Sequence, residues 1–574
     1  MNEHIVSNSK YKWTFLNHIA ETDLKLFAEQ LNITETLARI LMNRGIVTFD
    51  TARDFFRPST DQLYDPFLMK DMDVAVERLV RAYNDGDKIM IYGDYDVDGT
   101  TGTALLYSYF RDIKANVSYY INDRIKEGYG IARSGIDHAH SMGVKIIISV
   151  DCGITAVSQA EYCREKGIDL IICDHHTVGD NVPKALAILN PKRPDCHYPF
   201  KDLCGCGVGF KLTQGVSKAL GIDPSIAERY MDLVGVAVAA DIVPLIDENR
   251  TITRLGLDII QQSPRPCWIA MEKKTGLTLD RVNSSQIVFS IGPRINAVGR
   301  LGDAKRAVQM MVAETVAEAA DYASVLESEN TNRKTIDEDN YMDAGIVAEK
   351  FLRENSGLSI VLHNEKWHPG VIGIVASRLV EKHYRPAVMM TTIEGVAKGS
   401  ARSIPGFDVY EAIKACEEFV IQFGGHKYAA GLSVKLENIP AFQAKFDEVV
   451  KQTLTADLLT PEIQIDSQID FSEITDKFWK VLRQFQPHGP DNLRPVFYSD
   501  DVEIIGYPSV VGKGHLKFKA KQKGSPVFDV IGYNMESYYT SAVASGKALH
   551  MVYSINENVW NGQTQLQLQL KDLK

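Results

Sequence analysis

The chain has 574 residues, 45% of them hydrophobic, which is enough for several cores and points to three or four domains rather than one. The formal net charge of −11 excludes a polycation that coats nucleic acid nonspecifically, but it leaves room for a local basic groove and for bound metal offsetting an acidic centre. The opening run MNEHIVSNSKYKWTFLN has no apolar core of signal-peptide length, no apolar run approaches the roughly 20 residues that span a bilayer, and the eight cysteines are irregularly spaced, so a reduced, cytoplasmic protein is expected.

Residues 1–70 mix polar and apolar positions in a helical pattern (LKLFAEQLNITETLARILMNRGI) and carry no assignable chemistry, so an N-terminal helical extension is expected. From Lys88 to about Pro199, strand and helix patterns alternate, the signature of a parallel sheet with helices on both faces. The apolar runs end in polar groups. KIMIYGDYDVDGTTG carries Asp94, Asp96 and Asp98, KIIISVDCG carries Asp151, and LIICDHH carries Asp174, His175 and His176. Asp241 ends the long apolar segment LVGVAVAADIVPL. In open parallel sheets the carboxyl edge of the strands is where ligands bind.

A single acid at a strand end is usually a helix cap or a hydrogen-bonded structural group. Five or six acids with two histidines, each behind its own hydrophobic element, do not fit that description. Burying such charge without a counterion costs several kcal/mol per group, and divalent metal is the natural compensation. Carboxylates with imidazoles and no thiolates suit Mn²⁺ or Mg²⁺, and two such ions could activate a water and stabilise a leaving oxygen in phosphoester hydrolysis. Cys204-Gly-Cys206 lacks a second ligand pair and reads as a loop.

Within NDRIKEGYGIARSGID, Arg124 could meet a phosphate, and Gly128 and Gly130 allow a tight loop. SIGPRINAVGRLGDAKRAV sets Arg294, Asn296 and Arg300 in what reads as a glycine-rich loop able to hold phosphate oxygens. Ala304 to about Glu354 is a nearly unbroken helix pattern; roughly 50 residues would span on the order of 75 Å, long enough to strap two domains together across a groove. A second α/β unit follows. Ser400, Arg402 and Ser403, then Gly424, Gly425 and His426, read as two polar loops able to bind an anion, and His368 reads as a turn or cap residue. Past about residue 456, short alternating strands suggest a small OB-type barrel. In it HLKFKAKQK alternates basic with apolar residues, and Phe518, Tyr533 and Trp560 are candidates to stack bases.

In order, GDYDVDGTTG, EGYG, VDCG, CDHH, LNPKR, YPFKDLCGCGVGFKL, ADIVPL, GPRINAVGR, HPGVIGIVASRL, KGSARSIPGFD, GGHKYAAGL and WNGQTQLQLQLKDL resemble the DHH phosphoesterase superfamily, and within it the RecJ-type single-strand DNA exonucleases. The resemblance implies an α/β fold with a parallel-sheet DHH catalytic domain at 71–303. A connector helix at 304–355 would join it to a smaller DHH-associated α/β domain at 356–455, followed by an OB-fold nucleic-acid-binding barrel at 456–574. It implies 5′→3′ hydrolysis of single-stranded DNA to 5′-mononucleotides with two Mn²⁺ or Mg²⁺ ions, in repair and recombination. Asp96, Asp98, Asp151, His175 and Asp241 would be metal ligands supported by Asp94 and Asp174. His176 would sit on the scissile phosphate, and Arg294 and Arg300 would hold the backbone. Ser400, Arg402 and His426 would bind the terminal 5′ phosphate. A monomer that meets a helicase and a single-strand binding protein is implied as well. Ala401, Asp491 and Leu493 depart from the family pattern. Two rivals are a DHH phosphodiesterase of short oligonucleotides or cyclic dinucleotides and a degenerate, non-enzymatic DNA-binding scaffold. The carboxyl-terminal barrel speaks against the first and the full set of candidate ligands against the second.

Overall fold

The computed structural model describes residues 10–16, 19–124, 126–355, 357–544, 549–560 and 563–574; the side chain of Trp560 lies outside the described residues. The chain divides into two units. One holds residues 16–329 and 466–573, the other residues 1–15 and 330–465 with Lys574. The first strand, β1 (Lys12–Phe15), lies in the second of these.

The first unit is built on five parallel strands, β2 (Ile89–Gly93), β3 (Val117–Ile121), β4 (Ile146–Val150), β5 (Asp169–Cys173) and β6 (Ala187–Leu189), in the order β3-β2-β4-β5-β6. Residues of β2 and β4 alternate between two cores. Ile89, Ile91, Ile146, Ile148 and Val150 face one, and Met90, Tyr92 and Ile147 face the other. This two-sided burial explains why the strands read as unbroken Ile and Val runs rather than as polar-apolar alternation. Strand order reverses between β2 and β4, so the crevice opens where Asp94 leaves one strand and Asp151 leaves the other.

Several expected loops are regular structure. The GPRINAVGR segment is a helix, Gly292–Leu301, preceded by a π-helical turn, Ile287–Ile291. Cys204 caps the helix Gly205–Leu220, which contains Cys206. The expected connector from Ala304 is not continuous. A short helix, Lys305–Val312, ends at Ala313, and the long helix runs Val316–Glu354 over 39 residues, or about 58 Å. Thr315, whose hydroxyl accepts the Glu318 N–H, restarts it.

The second unit carries β7 (Ile360–His363), β8 (Ala387–Ile393), β9 (Val396–Arg402), β10 (Val420–His426) and β11 (Ala429–Lys435), in the order β10-β11-β9-β8-β7. The helices Ile372–His383 and Ile439–Thr453 cover it with Val375, Leu379, Phe442 and Phe446. The two loops expected around Ser400 and Gly424 are instead strands β9 and β10, each paired with β11. Only Ser403 lies beyond the strand end, its hydroxyl donating to Phe407 O at 2.9 Å. β12 (Glu462–Ile465) pairs in parallel with β1, so the amino-terminal segment is not wholly helical.

Strands β13 (Ser467–Gln468), β14 (Phe497–Val511), β15 (His515–Lys521), β16 (Phe528–Gly532), β17 (Leu549–Trp560) and β18 (Gln563–Leu573) complete the first unit as a barrel, closed by pairing of β14 with β17. On β15, Leu516, Phe518 and Ala520 point inward while Lys517 and Lys519 are exposed. Phe518 is therefore core rather than a stacking platform, whereas Tyr533 is exposed. The helices Glu21–Leu31, Glu35–Asn43 and Phe49–Phe56 share this core through Leu24, Phe27, Leu37, Ile40 and Ala52, so they are part of the barrel's packing.

A fully buried ion pair braces the first unit. Lys211 and Glu248, both at 0% side-chain exposure, are 3.0 Å apart. The Tyr198 hydroxyl and the Tyr64 N–H also donate to Glu248. Lys211→Met is expected to cost about 3–5 kcal/mol in urea unfolding by stranding that carboxylate, and adding Glu248→Gln to recover most of the loss.

Candidate active site

The site forms because three backbones crowd together at the carboxyl edge. Asp94 follows β2 directly. Asp96 caps the helix Val97–Asp112, its Oδ1 accepting the Gly99 N–H at 3.1 Å. Asp98, in the first turn, accepts the Gly205 and Cys206 N–H groups at 2.6 and 2.8 Å, so the start of a second helix pins its orientation. Asp151 sits at φ +61° after β4, a left-handed conformation unusual outside glycine. Gly205 packs so closely against it that an added Cβ would fall 2.7 Å from the Asp151 Cα. Asp241 arrives from the carboxyl end of the helix Met231–Ala240.

Three of these acids meet around His175. Its Nε2 lies 3.2 Å from Asp151 Oδ1, 3.6 Å from Asp241 Oδ2 and 3.7 Å from Asp98 Oδ2. Asp94, Asp96 and Asp151 form a neighbouring set whose ligand atoms lie within 4.8 Å of one another. Asp151 belongs to both sets, so the cluster offers two adjacent ion positions. The donors fit the ions. Asp94 Oδ1, Asp151 Oδ1 and Asp241 Oδ2 are buried without a hydrogen-bond partner, and oxygen and imidazole donors suit Mn²⁺ or Mg²⁺. Asp94, which the sequence suggests as a supporting group, thus stands among the candidate ligands.

Burial, reinforced by neighbouring carboxylates, pushes Asp94, Asp151 and Asp241 well above the usual carboxylate range and Asp98 up to about 6. Asp174 behaves in the opposite way. Burial works against its charge, but the His176 ring and the Ile154 N–H outweigh it and hold the carboxyl at about 2. Its Oδ1 lies 2.7 Å from His176 Nδ1 and also accepts the His175 N–H, while Oδ2 accepts the Ile154 N–H. Asp174 is committed to holding the histidine pair. For His176, burial opposes the charged ring, but Asp174 prevails and raises its pKa.

Arg124 lies over the Tyr95 ring at 5.0 Å, and both Arg124 and Arg300 act on the Tyr95 hydroxyl, beside Asp94 and Asp96. Arg294 is engaged by Glu327 and donates to Ser290 O. Asn296 Oδ1 accepts the Val97 N–H at 3.1 Å and so fastens the Asp96–Asp98 turn. In the second unit, Arg402, Ala429 and His426 occupy one row across β9, β11 and β10, and Ser400, Gly431 and Gly424 another. Ser400 Oγ accepts from Arg402 Nη1 at 2.8 Å, and Gly373, in the first turn of its helix, abuts both side chains. Gly425 separates the two rows on β10. His368 caps a turn, Nδ1 accepting the Gly370 N–H.

Sequence reasoning missed Tyr129, whose hydroxyl donates to Asp151 O at 3.1 Å and lies 3.3 Å from His176 Nδ1. It also missed Asn190, which holds His176 O at 2.9 Å. Both lie in motifs that carry the family resemblance, EGYG and LNPKR, but neither residue has a charge or a spacing that marks it as part of the site.

Residues 88–238 match the DHH family, N-terminal domain, residues 346–452 the DHHA1 domain and residues 465–572 the RecJ OB domain. The single-stranded-DNA-specific exonuclease RecJ of Bacillus subtilis is 36% identical over 574 residues, covering 98% of this chain and 71% of the relative. The Escherichia coli protein of the same name is 32% identical, covering 87% and 89%. The crystal structure of RecJ with Mn²⁺ from Thermus thermophilus superposes with a TM-score of 0.81 at 27% identity, covering 98% of this chain and 80% of that one. Fold and cluster together define a DHH protein with a divalent-ion centre. Within that class the chain belongs to the RecJ family.

Because the raised carboxyls keep protons that an ion must displace, Mn²⁺ affinity is expected to rise with pH through about 6 and binding to release protons. Calorimetry in buffers of different ionisation heat measures both. The same groups contribute stability below their unfolded pKa and lose it as pH rises through the folded value, so Mn²⁺ is expected to raise the melting temperature more at neutral than at acid pH.

Proposed function

We infer that the chain is a divalent-metal-dependent exonuclease that hydrolyses single-stranded DNA from the 5′ end and releases 5′-mononucleotides. The observation that carries this reading is the joining, in one chain, of a carboxylate-imidazole cluster with two adjacent ion positions to an OB domain. Near full-length relatives bearing the name single-stranded-DNA-specific exonuclease point the same way. A hydrolase of short oligonucleotides or cyclic dinucleotides has no use for the barrel. A scaffold has no use for carboxylates that the fold keeps buried against their mutual repulsion.

When bound, Mn²⁺ or Mg²⁺ ions supply an activated water and neutralise charge on the leaving 3′ oxygen. The chain's own groups do the rest. Asp94, Asp96, Asp98, Asp151, His175 and Asp241 hold the ions. His176, oriented by Asp174 and Tyr129, contacts the scissile phosphate and steadies the attacking water. Arg124 and Arg300 hold the backbone beside Tyr95, with Arg294 behind them. In the second unit Arg402 and His426, with Ser400 supporting the guanidinium and Ser403, Gly424 and Gly425 shaping the rim, bind the terminal 5′ phosphate and set polarity. The eight cysteines are unpaired and buried, which fits a reducing cytoplasm. There the enzyme acts as a monomer in repair and recombination, alongside a helicase and a single-strand binding protein.

A 5′-phosphorylated, internally labelled strand of about 40 nucleotides, longer than any single-strand site of roughly 4 to 16, is expected to yield mononucleotides from its 5′ end with Mn²⁺. Asp151→Ala or His175→Ala is expected to abolish cleavage while strand binding survives at low metal. An intact strand alongside hydrolysed cyclic dinucleotides overturns the reading. Arg402→Ala is expected to reduce the preference for a 5′ phosphate over a 5′ hydroxyl by roughly ten- to a hundredfold, the weight of a charge-assisted hydrogen bond, in paired rate measurements on the two strands.

A further inference from the structure

Two exposed apolar side chains, one next to Asp241 in sequence and one on a turn packed against the helix that delivers Asp241, have no role in the chemistry above. Phe289 is 81% exposed and Ile242 63% exposed. A scattered exposed hydrophobic is ordinary, but the setting of these two is not. Phe289 projects from the π-helical turn Ile287–Ile291, a local widening of the helix that occurs mostly at functional sites. The turn is not frayed, because Ile287 and Ile291 on either side of Phe289 are buried. Phe289 makes no ring pair among the described residues.

The turn packs against the helix Met231–Ala240 that delivers Asp241. Gly292, which follows it, lies against Ala240 and against Val97, between Asp96 and Asp98. Ile242, next to Asp241, stands at φ +59°, a left-handed conformation that a β-branched side chain resists and that survives where the surroundings impose it.

We propose that Phe289 and Ile242 form an apolar shelf on which the exonuclease stacks the base of one of the two nucleotides flanking the scissile phosphodiester. The inference rests on the single-strand exonuclease reading and deepens it. Every base offers a π face, so an aromatic shelf accepts any sequence. A paired base inside a duplex does not offer that face, so the shelf contributes to single-strand selectivity at the cleavage centre itself, independently of the barrel.

The test combines a protein change with a substrate change. A single abasic site is walked through positions 1 to 4 of a 5′-phosphorylated strand, and first-cleavage rates are measured below saturation for the wild type, Phe289→Ala and Phe289→Trp. With the wild type, an abasic site at position 1 or 2 is expected to slow cleavage about tenfold, as loss of one stacked base predicts, while position 4 has little effect. Phe289→Ala is expected to cut the intact strand about tenfold more slowly and to show no further loss at the abasic site. Phe289→Trp is expected to restore both the rate and the abasic penalty. A Phe289→Ala enzyme as fast as wild type, or one that retains the full abasic penalty, overturns the shelf. An unchanged melting temperature separates this from misfolding, and a drop that Phe289→Trp does not reverse counts against the proposal. A wild type that leaves the intact strand uncut overturns the exonuclease reading instead.

Discussion

Five aspartates gathered in one cluster, Asp98, Asp151 and Asp241 beside His175 and Asp94 and Asp96 beside Asp151, repel one another, and the fold is arranged around containing that repulsion. Asp94, Asp98, Asp151 and Asp241 all hold their protons more tightly than a free carboxyl, first because they are buried and then because they face each other. Hydrogen bonds absorb only part of the charge. The amino end of the helix Gly205–Leu220 takes both oxygens of Asp98, and the Gly99 N–H takes one oxygen of Asp96. The oxygens left over on Asp94, Asp151 and Asp241 define where cations belong. Left-handed backbone at Asp151 and Ile242 and the close approach of Gly205 are local distortions that a packed fold keeps only when surrounding contacts impose them.

Asp174 shows how the same residue type at a comparable strand end acquires a different task. It is as buried as Asp98, and backbone N–H groups reach both oxygens of each, but Asp174 accepts three of them and faces the His176 ring as well, against two on Asp98. That supply of donors keeps it charged and takes it out of competition for ions. It also gives His176 a fixed orientation, with Tyr129 and Asn190 bounding the ring and its backbone from other loops. What separates a ligand from an orienting group here is the number of hydrogen-bond donors aimed at each carboxylate rather than depth in the protein.

That distinction is invisible in sequence, whereas the alternation of elements is plain in it. The parallel sheet and the acids at its edge follow from runs such as KIMIYGD and LIICDHH, because a strand buried on both faces has little choice but Ile, Val, Leu or Met. GPRINAVGR was misleading because glycine has two uses. Gly299 is small so that the helix Gly292–Leu301 can lie on Tyr95, where an added Cβ would fall 2.2 Å from the Tyr95 oxygen, and Asn296 then reaches Val97. The pattern reports close packing and reads as a loop. Similarly, Gly399 and Ser400 interrupt a strand pattern, yet β9 lies between β8 and β11 with both neighbours paired. The amino-terminal helices gave an amphipathic pattern without naming their partner. The far end of the chain supplies it: Arg44 bridges to Asp466 and to Leu493 O. A contact over more than 400 residues has no local signature. Asp491, one of the positions that depart from the family pattern, stands at φ +59°, a conformation that glycine adopts freely.

An enzyme with a formal net charge of −11 that acts on a polyanion has to concentrate its positive charge. Lys517 and Lys519 do so on the outer face of β15, and Arg124 and Arg300 do so around Tyr95. The centre itself has the opposite sign, because its side chains are acids and His175 is set among them. Cations therefore have a second task there besides the chemistry. They reverse the local field that a phosphate meets as it approaches. The exposed lysines of β15 carry their charge without any ion, so positive charge on the barrel is built into the sequence, whereas positive charge at the centre arrives with the ions.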